Sequence, residues 1–247
     1  SNRHAPYVGS SAFAHKGGLH ASAVMKDPRT YEHVPPEAVG NARKIPVSDQ
    51  AGRGNLLGRL GEFGFELDPK DPRVQGLLEQ IKEKEFFGYS YDGAEASLEM
   101  LARRALGQVE TFFKVEGFRV SVERRHNALG QEVTLSEAVV KVFVDGERIM
   151  NVGEGNGPVN ALDMALRKDL GRYSKWLEDL TLVDYKVRIL TGGTEAVTRV
   201  MIESADGQGR RWSTVGVSAN IVDASFEALI DSINYKLLRE RAPAAGK

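Results

Sequence analysis

The chain has 247 residues, with 33 basic and 34 acidic side chains, and its formal net charge is −1 at pH 7. This balance excludes a strong overall field for nucleic acid or for an anionic membrane. The sequence has no cysteine, which excludes disulfides, thiolate nucleophiles and cysteine-based zinc sites. No apolar run approaches the roughly 18 residues of a membrane helix, and no signal-peptide pattern opens the chain. We therefore expect neither a nucleic-acid partner nor a membrane partner.

Residues 1–46 are rich in Gly, Ala, His and Pro and show little hydrophobic periodicity. Such a segment cannot bury enough apolar area to offset its own ordering entropy, so it needs a neighbour. We therefore expect the chain to begin in the middle of a larger protein. His15 and His20 flank Gly17-Gly18 at a spacing that is not the helical two-histidine metal pattern. General acid–base use is favoured over metal binding because imidazole titrates near neutrality and a glycine-rich loop can present it. A hydrogen-bonded structural histidine is the alternative, and the sequence alone favours it.

Residues 47–107 are predicted to form helices. Asp71-Pro72 is typical of an N-cap followed by a first-turn proline, and the apolar residues after it recur at helical spacing. A further helix is predicted over about 93–106, with Gly107 as its C-terminal stop. An earlier helix near 48–63 is weakened by four glycines.

Beyond the helical segment the hydrophobic period changes to two, which is typical of half-buried β-strands. Apolar and polar residues alternate near 118–122, 140–144 and 185–189. Two amphipathic helices interrupt these strands, one after Gly157-Pro158 and the other after Asp223. The pattern predicts sheets with one face on a core and the other in water.

The strands and helices of this region occur twice, in repeats of about 112–172 and 181–240. Matching segments are offset by 67, 58 and 63 residues, so only the loop lengths differ. Each repeat is predicted to fold as β-β-β-α, which leaves apolar surface open, so we expect the repeats to pack about a pseudo-two-fold axis. The predicted fold class is α+β, with domains at 1–46, 47–107 and 108–247.

Residues 152–161 join a predicted strand to a predicted helix and contain three glycines. Glycine lets backbone N–H groups approach a ligand and a helix N-terminus favours negative charge, so a small carboxylate suits this segment. A tight turn that needs glycine geometry is the alternative, and the sequence alone favours it. The segment is a poor dinucleotide motif because no parallel βαβ unit surrounds it, which counts against a cofactor-binding enzyme. The second repeat lacks the glycines but places Asp223 at the equivalent helix start.

Several segments resemble the isopropylmalate and citramalate synthase family. They occur in the family's order over nearly the whole chain, at residues 13–23, 31–40, 88–97 and 155–162. The segment at 88–97 is most similar to the citramalate synthase branch, and the last one resembles the family's C-terminal regulatory signature.

This resemblance implies a Claisen-type condensation of acetyl-CoA with a 2-oxo acid, pyruvate, in cytoplasmic branched-chain amino acid biosynthesis. The chemistry needs a base to form the enolate, a divalent metal to polarise the keto group and an acid for the new alkoxide. In the family these groups lie mostly in an N-terminal TIM barrel, and this sequence has no eight-fold βα pattern. We therefore expect a C-terminal fragment that itself holds no metal or cofactor and is inactive alone.

The resemblance also implies two catalytic residues. His20 matches the family histidine that a linker subdomain places over the mouth of the partner subunit's barrel, where it assists proton transfer. Tyr31 matches a family tyrosine near the same site. Ala21-Ser22-Ala23 follow the histidine where the family often has Gln-Asp-Gly, a departure that favours the citramalate branch.

The duplicated region resembles the family's allosteric domain, which dimerises and binds an end-product branched-chain amino acid. We expect a homodimer with isoleucine bound between the two repeats. Leu182 is out of phase with Tyr185 and Ile189, so a bulge or a strand start is expected there. The family positions that line the effector pocket fall on Asn156, Gly157, Val159, Asn160, Leu182, Tyr185, Ile189, Ala219 and Ile221.

Two alternatives stay open. The first is 2-isopropylmalate synthase, with 2-oxoisovalerate as the acceptor and leucine as the feedback effector. The second is of another class, a structural dimerisation module that binds no ligand.

Overall fold

The computed structural model describes seven segments of the chain: 5–9, 12–14, 23–24, 27–43, 53–109, 111–190 and 196–245. The chain divides into two compact units, Ser1–Gly107 and Gln108–Lys247. The three-part domain division stays a prediction, because its boundary at residue 46 lies outside the described residues. Within the described part of the chain, no helix has the length and apolar character to cross a membrane.

Three helices form the described core of unit 1, and they confirm the predicted helical segment. They are α1 (Arg53–Glu62), α2 (Pro72–Phe86) and α3 (Glu95–Ala105). Asp71 caps α2, since its carboxylate accepts a hydrogen bond from the Arg73 N–H at 2.9 Å. Helix α1 forms despite its glycines because Leu56 and Leu60 are fully buried, and tertiary packing outweighs weak helix propensity.

Unit 2 contains two three-stranded antiparallel sheets, each followed by a long helix, so the predicted duplicated β-β-β-α arrangement is confirmed. The first repeat consists of β1 (Lys114–His126), β2 (Glu132–Val144), β3 (Glu147–Gly155) and α4 (Pro158–Lys168). A short 3-10 helix (Gly171–Tyr173) and α5 (Ser174–Leu177) lead into the second repeat. The second repeat consists of β4 (Thr181–Ile189), β5 (Thr198–Ala205), β6 (Arg211–Ser218) and α6 (Ile221–Arg239).

The core of unit 2 lies between the sheets' central strands and the two long helices. Helix α4 packs on β3 and β2, helix α6 packs on β6 and β5, and the two helices contact each other. Buried residues alternate along both central strands, as at Val140 on β2 and Val200 on β5. The Phe118 ring of β1 stacks on the Phe226 ring of α6, with centroids 4.3 Å apart. The two repeats therefore pack together, as the sequence predicts.

Glycines on the third strand of each repeat allow the helix to approach the sheet. A Cβ atom on Gly153 would lie 2.4 Å from the Ala165 nitrogen, and one on Gly216 would lie 2.0 Å from the Ala224 oxygen. Gly153 and Gly216 are separated by the repeat offset of 63 residues, so the same close contact occurs twice. At Gly153 the need for glycine therefore comes from helix–strand packing rather than from a tight turn.

A buried lysine joins three segments of the second repeat. The Lys236 side chain of α6 is only 3% exposed, and its Nζ lies 3.0 Å from an Asp179 carboxylate oxygen and 3.7 Å from an Asp206 carboxylate oxygen. A Glu240 oxygen lies 3.3 Å away, and Arg210 pairs with both Asp206 and Glu240. These ion pairs connect the end of α6 to the β5–β6 turn and to the segment before β4.

The C-terminal tail lies against the first residues of unit 2. The Tyr173 hydroxyl donates a hydrogen bond to the Pro243 carbonyl at 2.8 Å, and its ring meets Phe112 edge-on with centroids 5.6 Å apart. The Ala245 N–H donates to the Thr111 carbonyl at 2.8 Å. These contacts hold residues 243–245 beside residues 111–112.

Candidate functional site

The N-terminus of α4 has the features that a small carboxylate requires. Gly157 is the N-cap residue in extended conformation and Pro158 is the first helical residue, and no side chain caps this helix. Backbone N–H groups in a first helical turn have no intrahelical acceptor, and they carry partial positive charge. A Cβ atom added to Gly157 would meet no atom within 4 Å, so the space beside this helix start is open.

Asn160 stabilises the turn before α4 with its own side chain. Its Oδ1 accepts a hydrogen bond from the Asn156 backbone N–H at 3.2 Å. This arrangement requires glycine at residue 155, because a Cβ atom there would lie 2.5 Å from the same Oδ1 atom. The polar group of Asn160 is thus turned toward the backbone of the loop.

The equivalent helix start in the second repeat is capped from within the chain. The Asn220 Oδ1 atom accepts a hydrogen bond from the Val222 N–H at 2.8 Å, and Asp223 adds negative charge to the first turn of α6. Ala219 is exposed and Ile221 is 41% exposed. Of these two equivalent helix starts, the first is therefore the one suited to an external carboxylate.

Strand β4 contains the bulge that the pocket prediction requires. Its register with β5 shifts between Leu182 and Asp184, and β1 has the equivalent shift between Val115 and Gly117. The shift puts Leu182 and Tyr185 opposite residues 204 and 202 of β5 and therefore on one face. Ile189 lies opposite residue 198 and shares that face.

That face of β4 contacts α6 at Tyr185. The Tyr185 hydroxyl lies 2.8 Å from the Ser225 Oγ of α6, and Ser225 in turn donates to the Ile221 carbonyl at 2.6 Å. Farther along the strand, Val187 is 43% exposed and Ile189 is 65% exposed. Alternation along β4 predicts that these residues face the core, and this prediction is wrong for Val187 and Ile189, whose side chains are exposed.

The predicted effector residues lie on three elements, and hydrogen bonds connect two of them. Tyr185 is linked through Ser225 to Ile221 at the start of α6. Within the described residues, no hydrogen bond joins Asn156 or Asn160 at the start of α4 to this group. Val159, in the first turn of α4, is half-buried. The nine-residue pocket stays a prediction.

Of the two predicted catalytic residues, the structure describes Tyr31. It follows the 3-10 helix Pro28–Thr30 and is 44% exposed. The next residue, Glu32, is buried, and its two carboxylate oxygens accept hydrogen bonds from Arg43 Nε at 2.9 Å and from Nη2 at 2.6 Å. These hydrogen bonds raise the pKa of Arg43. His20 and the neighbouring His15 lie outside the described residues.

Sequence reasoning did not identify the Glu32–Arg43 ion pair. The two residues are eleven positions apart in a proline-rich segment without periodicity, so no pattern predicts their contact.

Among the described side chains, there is no group of three or more His, Cys, Asp or Glu residues that could hold a metal ion.

Comparison with known families identifies the class of this chain. Residues 92–237 match the LeuA allosteric (dimerisation) domain, and the chain belongs to this family. Residues 7–85 match a second family, the homocitrate synthase post-HMGL domain-like family. The resemblance to the isopropylmalate and citramalate synthase family is thereby confirmed.

The curated relatives of this chain include (R)-citramalate synthases from several organisms. The chain is 52% identical to the Aquifex aeolicus protein over 240 residues, which cover 96% of this chain and 45% of the relative. It is 53% identical to the Geobacter sulfurreducens protein over 238 residues, which cover 96% of this chain and 44% of the relative. The Sulfolobus acidocaldarius protein is 43% identical, with 97% and 44% covered. The chain thus spans less than half the length of these relatives.

Proposed function

We propose that this chain is the C-terminal regulatory and dimerisation part of a citramalate synthase. The full-length enzyme would condense acetyl-CoA with pyruvate in the cytoplasm, and isoleucine would inhibit it by feedback. The identity of about half of all residues to (R)-citramalate synthases, over nearly the whole of this chain, carries the proposal. The chain alone would be inactive. A divalent metal, which polarises the keto group when bound, would be held by residues outside this chain.

The geometry of unit 2 supports an amino acid as the effector. The open, uncapped start of α4 at Gly157 suits a carboxylate. The exposed apolar end of β4, at Val187 and Ile189, offers an apolar wall for an aliphatic side chain. Both features belong to the same unit, and a branched-chain amino acid combines the two chemistries.

Isoleucine should bind to the 247-residue chain, and Gly157→Val should weaken this binding at least about tenfold. A hydrogen bond to a charged group contributes roughly 1.5–3 kcal/mol, and the valine side chain would occupy the open space where these bonds form. Isothermal titration calorimetry measures the affinity. Gly58→Val on α1 is the matched control, because it also adds a side chain at an open position but lies in unit 1.

The same titration separates the alternatives. Tighter binding of leucine than of isoleucine would favour 2-isopropylmalate synthase. No heat with isoleucine, leucine or valine would contradict the effector proposal and leave a ligand-free dimerisation module. Unchanged isoleucine affinity in Gly157→Val would place the carboxylate elsewhere.

In the full-length enzyme, His20→Ala should lower turnover by roughly a hundredfold while acetyl-CoA affinity changes little. Proton transfer by a positioned side chain contributes about this much to a rate. Tyr31→Phe, which removes only a hydroxyl, should lower turnover in the same direction. Tyr7→Phe is the control, because Tyr7 is an exposed tyrosine of the same segment. Steady-state kinetics measures the turnover. Wild-type turnover in both His20→Ala and Tyr31→Phe would exclude these two residues from the mechanism.

A further inference from the structure

Strand β1 is a long edge strand with an open side. In the described residues it pairs with β2 alone, whereas β3 pairs with β2 only over 136–144. Residues 123–126 of β1 therefore extend past β3 as part of a two-stranded ribbon. Residues 121–126 are all exposed, and Val122 is 59% exposed.

An edge of this kind is expected to be covered. Its unpaired N–H and C=O groups form a template for another strand, and an isolated two-stranded ribbon is marginally stable in water. Val122, an exposed apolar residue on the same open edge, adds to the driving force for pairing. The open question is therefore which strand pairs with β1.

The sequence of β1 is complementary to itself when it runs antiparallel to a second copy. With Ser121 opposite its own copy, Val120 faces Val122 of the partner subunit, on the side of the sheet that carries the helices. On the other side, Arg119 faces Glu123 of the partner subunit. Both of these charged side chains are exposed, and neither forms an ion pair within the described chain. Opposite charges on directly facing residues stabilise a strand pair.

Other pairings are less favourable. A register of β1 centred on Val122 would put Arg119 opposite a second arginine, Arg125 of the partner subunit. In the described chain, β3, β4 and β6 are also outer strands of their sheets. On β4, the equivalent of β1 in the second repeat, the central charged residue Lys186 already pairs with Asp184 within the chain. The charge pattern of β1 thus favours the register centred on Ser121 over the register centred on Val122.

We propose that two copies of this chain pair through their β1 edges, antiparallel and centred on Ser121, to form a continuous six-stranded sheet. The arrangement is isologous, as a two-fold dimer requires. This proposal rests on the proposed dimerisation function. It adds the surface through which the two copies bind and the register in which their strands pair.

Charge reversal tests the register directly. Arg119→Glu places two glutamates opposite each other on both sides of the two-fold axis, and Glu123→Arg places two arginines there. Each variant should weaken dimerisation at least about tenfold, measured by sedimentation equilibrium of the 247-residue chain. The double variant, Arg119→Glu with Glu123→Arg, should restore the wild-type dimer affinity. A mixture of the two single variants should form heterodimers, because every facing pair then has opposite charges.

Arg125→Glu is the matched control, since it makes the same charge change on the same face but faces Gly117 of the partner subunit. Its dimer affinity should equal that of the wild type. Wild-type affinity in both single variants, with an intact dimer, would overturn the β1 register and leave dimerisation standing. A wild-type chain that stays monomeric at all concentrations would instead contradict the proposed dimerisation itself.

Discussion

Gly216→Ala is expected to lower the free energy of unfolding of unit 2 by at least about 3 kcal/mol. The added methyl carbon would lie 2.0 Å from the Ala224 carbonyl oxygen, which belongs to the backbone of α6 and cannot rotate away. Helix α6 would have to move off β6, and overpacking of a well-packed core commonly costs about 1–3 kcal/mol even when side chains can adjust. Thermal or denaturant unfolding followed by circular dichroism measures the loss.

The equivalent position in the first repeat provides an internal comparison. Gly153→Ala should destabilise unit 2 in the same way, because its Cβ atom would lie 2.4 Å from the Ala165 nitrogen. Gly117→Ala is the control, since this strand glycine has no atom within 4 Å of the added carbon. A Gly216→Ala protein that unfolds at the wild-type midpoint would show that helix and sheet are farther apart than the structure places them.

Lys236→Met should cost roughly 2–3 kcal/mol at neutral pH. Breaking a fully enclosed ion pair costs about 3–5 kcal/mol, because a charge is left buried without its partner. The expected loss is smaller here because the Asp179 side chain is 42% exposed and Arg210 still pairs with Asp206. Methionine has a similar length and flexibility, so the variant removes the charge and keeps most of the apolar contact.

The pH dependence of this loss distinguishes electrostatics from packing. Burial raises the pKa of Asp206, but hydrogen bonds from Arg210 and from backbone N–H groups outweigh burial, so its pKa lies below the ordinary value. Hydrogen bonds from Arg210 and Lys236 lower the pKa of Glu240. Carboxyl groups with lowered pKa values stabilise the folded state above their unfolded pKa and lose this contribution as the pH falls through the folded pKa.

The difference in stability between wild type and Lys236→Met should therefore be largest at neutral pH and shrink below about pH 4, where carboxyl groups become protonated. Calorimetry across this range measures both proteins. Leu237→Ala, which removes a neighbouring buried apolar side chain, is the packing control, and its loss should stay nearly independent of pH. A pH-independent loss in Lys236→Met would contradict the electrostatic explanation.

The fold of unit 2 could be predicted because its physical signals are local. Period-two alternation marks the strands, and the 63-residue offset between Gly153 and Gly216 reflects a contact that both repeats need. The bulge near Leu182 followed from a phase mismatch along a single strand. Each of these signals lies within one segment of the sequence or in the equivalent segment of the other repeat, so it can be recognised without knowing any contact between distant residues.

Other features depend on contacts between distant segments, so no periodicity reveals them. Lys236 is a charged residue of an amphipathic helix, yet it is buried, and its partner Asp179 lies 57 positions away in the sequence. Alternation predicts that Ile189 faces the core, yet its side chain is 65% exposed. The predicted effector pocket combines residues from three elements, and alternation says nothing of how their side chains meet.

The hydrogen bond between Thr111 and Ala245 has a consequence for protein engineering. It places residues 111 and 245, which are close in sequence to the two ends of unit 2, side by side, so a short linker could join these two points. A unit with adjoining ends can be spliced into an exposed loop of a host protein without stretching that host. Sensor designs that carry a ligand-responsive insert require this property.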